Sequence, residues 1–499
     1  MKRVLRRAWR CLLPALSLAL AVTAVGAWAS GSTGWNHLGD KGSSNAAVYV
    51  LSPTSDAHGG HLLVGGNFTR SGGKDASHFD VYGVPGPRQL GGFGSNFAPL
   101  NGDVHAIAWD GPTSQVYVGG NFTNAGGDPN ADFLAFQPNP GAVGWKPVCA
   151  NQALGGSVSA LQIIGSTLYV GGSFQNGAGL TGANYLIACN LNTGTATAVG
   201  TANDLNGGVY ALTADANGTL YVGGQFINAG GISAADHIVA WDGAWHALGS
   251  GVDDYVRSLA ASGQNVYVGT DSVNVAGIPQ ADHIARWNGS FWSALGANTA
   301  GTDGWLPQTA FLYAIAATSS QVVVTGSFQN ANGNPLADSI ASFDGTNWSA
   351  LGSNGAGNGP WSGNGLAVAI IGKDVYVGGN FTTAGGDPKA SYIARYGAAP
   401  INTFTVGAVT RNLKSGTAIL TAKTRGYGTM ALRGAGVVAS TAGTAAKSGR
   451  VKLTVKAHGA SKQQLDQLGH VTVKVKITFT PTGGTPRTRA ATVVLEKRL

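Results

Sequence analysis

At 499 residues, with 78 glycines and 11% charged side chains, the chain has room for two or three domains, and its regular apolar alternation excludes disorder. The formal net charge of +8 conceals two opposite regions. Residues 401–499 carry 16 Lys and Arg against Asp466 and Glu496, whereas residues 30–400 carry 10 basic against 21 acidic residues.

Taken in chain order, residues 1–29 read as an export signal. Lys2, Arg3, Arg6, Arg7 and Arg10 precede an apolar stretch from Cys11 to Val25, and Ala27-Trp28-Ala29 forms a small-x-small cleavage site. That stretch is shorter than the ~20 residues that span a bilayer. No second apolar stretch of spanning length follows, so the expectation is a secreted protein, extracellular or envelope-associated, with no transmembrane segment after signal removal.

A single sentence is then written seven times. Its anchors are Gly65-Gly66, Gly119-Gly120, Gly171-Gly172, Gly223-Gly224, Gly269-Thr270, Thr325-Gly326 and Gly378-Gly379, spaced by 54, 52, 52, 46, 56 and 53 residues. Each copy divides into four short strand-like segments, clearest in 208–251, with "DG" or "NG" as the hairpin signal between the third and fourth. The region opens on an isolated fourth segment, "GWNHLGD" (34–40), and its last copy stops after the third, "SYIARYG" (391–397). That offset predicts a closed seven-bladed β-propeller over 30–399, its last blade completed by the N-terminal strand.

Cys149 and Cys189, in neighbouring copies, are the two cysteines left after signal removal. An exported protein permits one disulfide between them, and two buried thiols are the alternative. The long connections fall at one end of the blades, where binding residues concentrate. They place Phe93, Phe97, Trp305 and Trp361, together with Asp253, Asp254 and Tyr255, as a candidate rim for a sugar or peptide; packing of loops or plugging of the channel is the alternative use of the aromatics. The third-strand entry repeats Asp132, Asp236, Asp282 and Asp338, with Ser77, Asn184 and Ser391 elsewhere, and His78, His237 and His283 follow directly. Asp, Asn and Ser alternate there because each accepts a hydrogen bond from a turn amide, so a structural role is expected rather than a metal site. No Ser-His-Asp order, paired carboxylates or clustered Cys/His set stands out, so no catalytic residue, metal or cofactor is assigned.

Beyond residue 400 tryptophan disappears, and "GRVKLTVKA", "HVTVKVKITFTP" and "RAATVVLEK" alternate like strands of a small β-sandwich, predicted over 401–499. Its lysines suit anionic envelope polymers or lipid headgroups; simple solvation of the domain and docking on the acidic propeller of the same chain are the alternatives. Lacking an aromatic stacking platform, and exported, the protein is not expected to bind nucleic acid.

"VYVGGNFTNAGG" (Val116–Gly127) and "ADHIARWNGSFWSALG" (Ala281–Gly296) resemble the repeats of secreted bacterial delta-60-type propellers, related more distantly to kelch and galactose-oxidase propellers. The tail is similar to the Ig-like domains that end many secreted actinobacterial proteins. The resemblance implies the fold, all-β, and a secreted location. The galactose-oxidase relationship also raises a copper radical site with a tyrosine-linked cysteine, for which no candidate set exists here. The reading is a secreted or cell-surface binding or adhesion scaffold, its loop face recognising a glycan or protein ligand and its basic domain attaching to the envelope. A propeller enzyme (hydrolase, lyase or oxidase) acting on a polysaccharide, and a purely structural surface component, are the alternatives.

Overall fold

The computed structural model describes residues 33–38, 44–56, 59–84, 88–89, 98–138, 144–149, 154–398, 402–424, 428–444, 449–481 and 486–499. The expected export signal lies outside them. Among the described residues, 33–398 form seven four-stranded antiparallel sheets. Six run in chain order, as in Val209–Ala214, Leu220–Gly224, Ile238–Trp241 and Trp245–His246. The seventh borrows its outer strand from the other end of the region: Thr33–His37 pairs with Ile393–Ala398, Trp35 opposite Tyr396.

The innermost strands are Val48–Asp56, Val104–Asp110, Val158–Ile164, Val209–Ala214, Val256–Ser262, Phe311–Ala317 and Gly365–Ile371. Each touches the next, and Gly365–Ile371 packs back against Val48–Asp56. The all-β ring of four-stranded sheets is consistent with a β-propeller.

Close approach between sheets explains the repeated glycine pairs. A β-carbon at Gly171 would lie 2.5 Å from Val209 Cγ1 of the next sheet. Gly65, Gly119, Gly223 and Gly378 meet Val104, Val158, Val256 and Val48 in the same way, and Gly269 faces Leu312. The sixth sheet reverses the arrangement: Thr325 occupies the glycine position, and the residue it faces is Gly365 rather than valine. Total volume at the contact is thus kept across all seven joints, as close packing demands.

A second tie joins neighbouring sheets at their outer edge. Trp292 Nε1 donates to Leu248 O of the preceding sheet (2.8 Å), Trp35 Nε1 to Leu351 O (2.7 Å), and Trp348 Nε1 to Leu295 O. The glycine after each accepting leucine leaves room for the incoming rings; Gly249 sits against Trp292 and Trp287, Gly296 against Trp348 and Phe343. The third sheet has no such tryptophan: Ala196 pairs with Cys189 where Trp292 pairs with Trp287. There Cys149 takes the glycine position, with the same left-handed backbone (φ 61° at both Cys149 and Gly249), and is bonded to Cys189 with 5.5 Å between Cα atoms. A covalent link stands at this joint in place of the indole tie.

The recurrent Asp or Asn at the third-strand entry caps a short 3₁₀ turn. Asp132, Asn184, Asp236, Asp282 and Asp338 accept from the backbone N–H of Asn124, Asn176, Asn228, Asn274 and Asn330 at 2.6–3.0 Å. All five turn asparagines are left-handed, a conformation Asn tolerates.

The tail forms a three-stranded sheet (Phe404–Asn412, Thr417–Thr424, Gly449–Lys456) and a four-stranded one (Ser440–Thr444, Gly428–Arg433, His470–Pro481, Arg487–Glu496). Leu420, Leu453, Met430, Ile477, Phe479 and Leu495 share the core between them. The alternation inferred from sequence is literal: in His470–Pro481 every second residue is buried. The short helix Ala460–Leu468 docks through Leu465, and Asp466 is clasped by Lys462 and Lys497, each at 2.6 Å. Those two ammonium groups hold its carboxyl down at about 2.

Candidate ligand site at the channel mouth

Every innermost strand carries one residue too many for its ladder. The register skips between Val48 and Val50, Val104 and Ala106, Val158 and Ala160, Val209 and Ala211, Val256 and Ser258, Leu312 and Ala314, and Gly365 and Ala367. The skipped residues are Tyr49, His105, Ser159, Tyr210, Arg257, Tyr313 and Leu366. A β-bulge leaves its extra residue unpaired and re-aims its side chain. All seven are half-buried and line one open cavity of about 200 Å³ on the axis of the ring. The flanking residues are apolar or small in every copy because they pack between sheets. The bulged residue is turned out of that sheet-to-sheet packing toward the channel, and it alone differs in chemistry from copy to copy.

A second tier holds several of these side chains. It comes from the residue that follows each glycine pair. Asn121 Nδ2 lies 3.1 Å from His105 Nε2, and Tyr210 O–H donates to Gln225 Oε1 at 2.5 Å. Arg257 makes a forked pair with Asp271: Nε to Oδ1 at 2.7 Å and Oδ2 at 2.9 Å, and Nη2 to Oδ2 at 2.5 Å. Its guanidinium carbon stands 5.9 Å from the centre of the Phe311 ring. Among the described residues Nη1 of Arg257 has no partner. Tyr49 and His105 stack with their rings 5.1 Å apart and 14° from parallel.

Electrostatics follow from these contacts. Burial holds the His105 imidazole below its ordinary value, opposed in part by Asp103, so the ring is neutral at pH 7. Burial raises the Tyr49 and Tyr210 phenols; Asp103 adds to the first, and Arg257 partly opposes the second. The hydrogen bonds from Arg257 to Asp271 raise the guanidinium further and cancel its charge locally. The mouth therefore offers phenol hydroxyls, aromatic faces and donor N–H groups with no net cationic field.

The residues singled out from the sequence distribute differently. Trp305 and Trp361 are not presented to solvent. Trp305 stacks on Trp348 at 5.2 Å, and Trp361 stacks on Phe381 at 4.6 Å and meets Trp35 edge-on at 4.8 Å. Their long loops fold inward because a large indole loses more by facing water than the loop loses by bending over it. Phe93 and Phe97 lie outside the described residues. Asp253 is exposed, Asp254 accepts from the Tyr255 N–H at 2.7 Å, and Tyr255 is 40% exposed beside His237. Tyr255 also acts electrostatically on Tyr210, which connects it to the bulge ring. Among the described residues no three or more His, Cys, Asp or Glu gather as metal ligands would.

No family model and no curated protein matches the chain. Among solved structures it is similar to the extracellular domain of BT4673 from B. thetaiotaomicron (10% identity, 94% of this chain and 58% of that one, TM-score 0.43). The extracellular domain of BT3049 from the same organism gives 8% identity, 91% and 55% coverage, and TM-score 0.40. An ancestral GH74 enzyme gives 12% identity, 92% and 63% coverage, and TM-score 0.30. The chain spans less than two thirds of each of these proteins. TM-scores of this size leave the chain's own geometry as the basis for any functional assignment. Among the described residues, no helix is long and apolar enough to cross a membrane.

Proposed function

We propose that this is a secreted or cell-surface binding protein. In this reading residues 30–399 are a seven-bladed propeller closed by its N-terminal strand, and the channel mouth recognises a glycan or protein ligand. The observation that carries it is the ring of seven bulged side chains: a rigid, repeated scaffold holds tyrosine, histidine, serine, arginine and leucine around one cavity. Bulges recur where a side chain must be re-aimed toward a site. A purely structural ring gains nothing from placing Arg257, His105 and three tyrosines at the one position outside the sheet-to-sheet packing.

Residues 401–499, read as a basic Ig-like domain, attach the protein to anionic envelope polymers. Lys423, Arg450, Lys452 and Lys456 are all exposed on one face of the three-stranded sheet, Lys423 directly opposite Arg450. The test is retention of the mature protein on isolated cell envelopes, with and without the double substitution Tyr210→Ala and Tyr313→Ala, in low and high salt. Retention at high salt that disappears in the double variant supports recognition at the mouth. Retention equal in both proteins at every salt concentration removes the mouth from the function.

A further inference from the structure

The order of the seven bulged residues around the ring is uneven, and the unevenness gives the cavity a shape. Tyr49 and His105, from adjacent sheets, form one stacked pair. Tyr210, Arg257 and Tyr313, from three consecutive sheets, form a second group, in which Arg257 lies within electrostatic reach of both phenols. The two residues between these groups are the small Ser159 on one side and the aliphatic Leu366 on the other. In a ring of seven, the sheets carrying Tyr49 and His105 stand opposite those carrying Tyr210, Arg257 and Tyr313. The cavity is thus a slot with two aromatic walls and two low ends.

Resting on the reading of the channel mouth as a ligand site, we propose that this slot takes the terminal residue of a neutral saccharide. Four observations lead there. The walls are lined by the rings of Tyr49, His105, Tyr210 and Tyr313, aromatic surface of the kind that packs on the C–H face of a pyranose. The rim presents hydroxyls and the free Nη1 donors of Arg257, held in place because Nε and Nη2 are engaged by Asp271, and sugar hydroxyls can accept from them.

Charge decides the sugar class. Arg257 is neutralised by Asp271, His105 is uncharged, and Asp103 acts on both Tyr49 and His105. The region 30–400 carries 21 acidic against 10 basic residues. An acidic saccharide would bring a carboxylate into that field with no uncompensated cation to receive it, and the acidic body slows its approach.

Size decides the extent. The cavity of about 200 Å³ is small beside the roughly 300–1,000 Å³ of sites that enclose drug-sized ligands. One ring-sized end group fits; an interior stretch of polymer does not thread it.

The experiment uses the full mature chain and four probes of equal length: maltotetraose, cellotetraose, tetra-N-acetylchitotetraose and tetragalacturonate. Binding is read by saturation-transfer NMR and calorimetry. The expected result is binding of at least one neutral tetrasaccharide, with saturation strongest on its terminal residue. Tyr210→Ala and Tyr313→Ala should each weaken it tenfold or more, and Arg257→Lys, which keeps the charge but cannot both pair with Asp271 and present the Nη1 donors, by a similar factor. Unchanged tryptophan-monitored unfolding midpoints show that these variants are folded. Tighter binding of tetragalacturonate than of every neutral probe, or binding of none of the four, overturns the proposal. Retention on envelopes that survives periodate, fails after protease and is lost in the Tyr210→Ala, Tyr313→Ala protein overturns the saccharide while leaving the mouth as the site. A neutral sugar bound equally well by all the variants overturns the mouth itself.

Discussion

The sixth joint of the ring offers a test of what holds neighbouring sheets together. Gly365→Val restores, on the seventh sheet, the residue that faces glycine at four of the other joints and at the ring's closure, but here it faces Thr325. The new β-carbon would lie 3.0 Å from the Thr325 Cβ and closer still to its hydroxyl, and Thr325 is fully buried. Overpacking of this kind costs about 1–3 kcal/mol, and the upper end applies because the atom met is a β-carbon with nowhere to rotate. Thr325→Gly removes three atoms from the same place. A void of about 50 Å³ costs roughly 1 kcal/mol, and the freed backbone adds about 0.5–1 kcal/mol. Its hydrogen bond to Ser339 O is lost, but that carbonyl keeps the Gly326 N–H at 3.0 Å and is not orphaned.

The two single changes therefore sum to roughly 5 kcal/mol at most, whereas the double variant recreates the Gly171–Val209 joint and should lose no more than about 1–2 kcal/mol, a coupling of roughly 3 kcal/mol. Urea unfolding followed by tryptophan emission isolates the ring, since every tryptophan after Trp28 falls between Trp35 and Trp361 and the tail has none. Equality of the double loss with the sum of the singles, within about 0.5 kcal/mol, would refute the reasoning that volume is conserved at each joint.

Three further outcomes follow from the same geometry. Replacing Cys149 and Cys189 together with serine should lower ring stability by about 4 kcal/mol, the chain-entropy value for a closed loop of this length, measured by the same emission under oxidising conditions; equal midpoints before and after reduction of the wild type would contradict a bridge in solution. Asp282 has its carboxyl raised by burial and then by the adjoining Asp303, so its contribution to stability is present below the ordinary aspartate range and is lost as pH rises through the raised value. Asp282→Asn, which copies the native Asn184 at the same position of the third sheet, should flatten the fall in ring stability as pH rises above the ordinary aspartate range, and an unchanged pH profile would count against the coupled pair. Changing Lys423, Arg450, Lys452 and Lys456 to glutamine should remove the part of envelope retention that salt releases between about 0.1 M and 1 M, where screening shortens from about 10 Å to 3 Å; retention with its salt dependence intact would assign the charge to solvation alone.

The strands were legible because each is written several times over, so that chance matches in one copy are cancelled by the others. The offset between "GWNHLGD" and "SYIARYG" announced the pairing of Thr33–His37 with Ile393–Ala398, since a lone fourth strand has to find an edge. The turn-capping aspartates were legible for a chemical reason: Asp and Asn share one acceptor geometry, and their interchange pointed to the bonds that Asn228 and Asn330 donate, whereas Ser391 donates its hydroxyl to Ser44 O instead. Trp305 and Trp361 misled because loop length says where a segment emerges, not whether its side chains fold back. Their burial depends on Trp348, Phe381 and Trp35, none of them near in sequence.

The bulge ring escaped notice for a related reason, and the reason points to how such sites are found. A period-2 reading of "VYALTA" or "VRSLAA" assigns alternate residues to opposite faces. One inserted residue shifts the parity, so Tyr210 and Arg257 look like ordinary members of the alternation. The signal lay across the copies rather than along them. At the second place of V-Y-V-L, V-H-A-I, V-S-A-L, V-Y-A-L, V-R-S-L, L-Y-A-I and G-L-A-V the chemistry runs from serine to arginine, while the third and fourth places stay small and aliphatic. Packing constrains what it touches and is silent about what faces a cavity. In a chain built from seven copies of one unit, a position that is free to vary, surrounded by positions that are not, marks the surface left for something other than the chain itself.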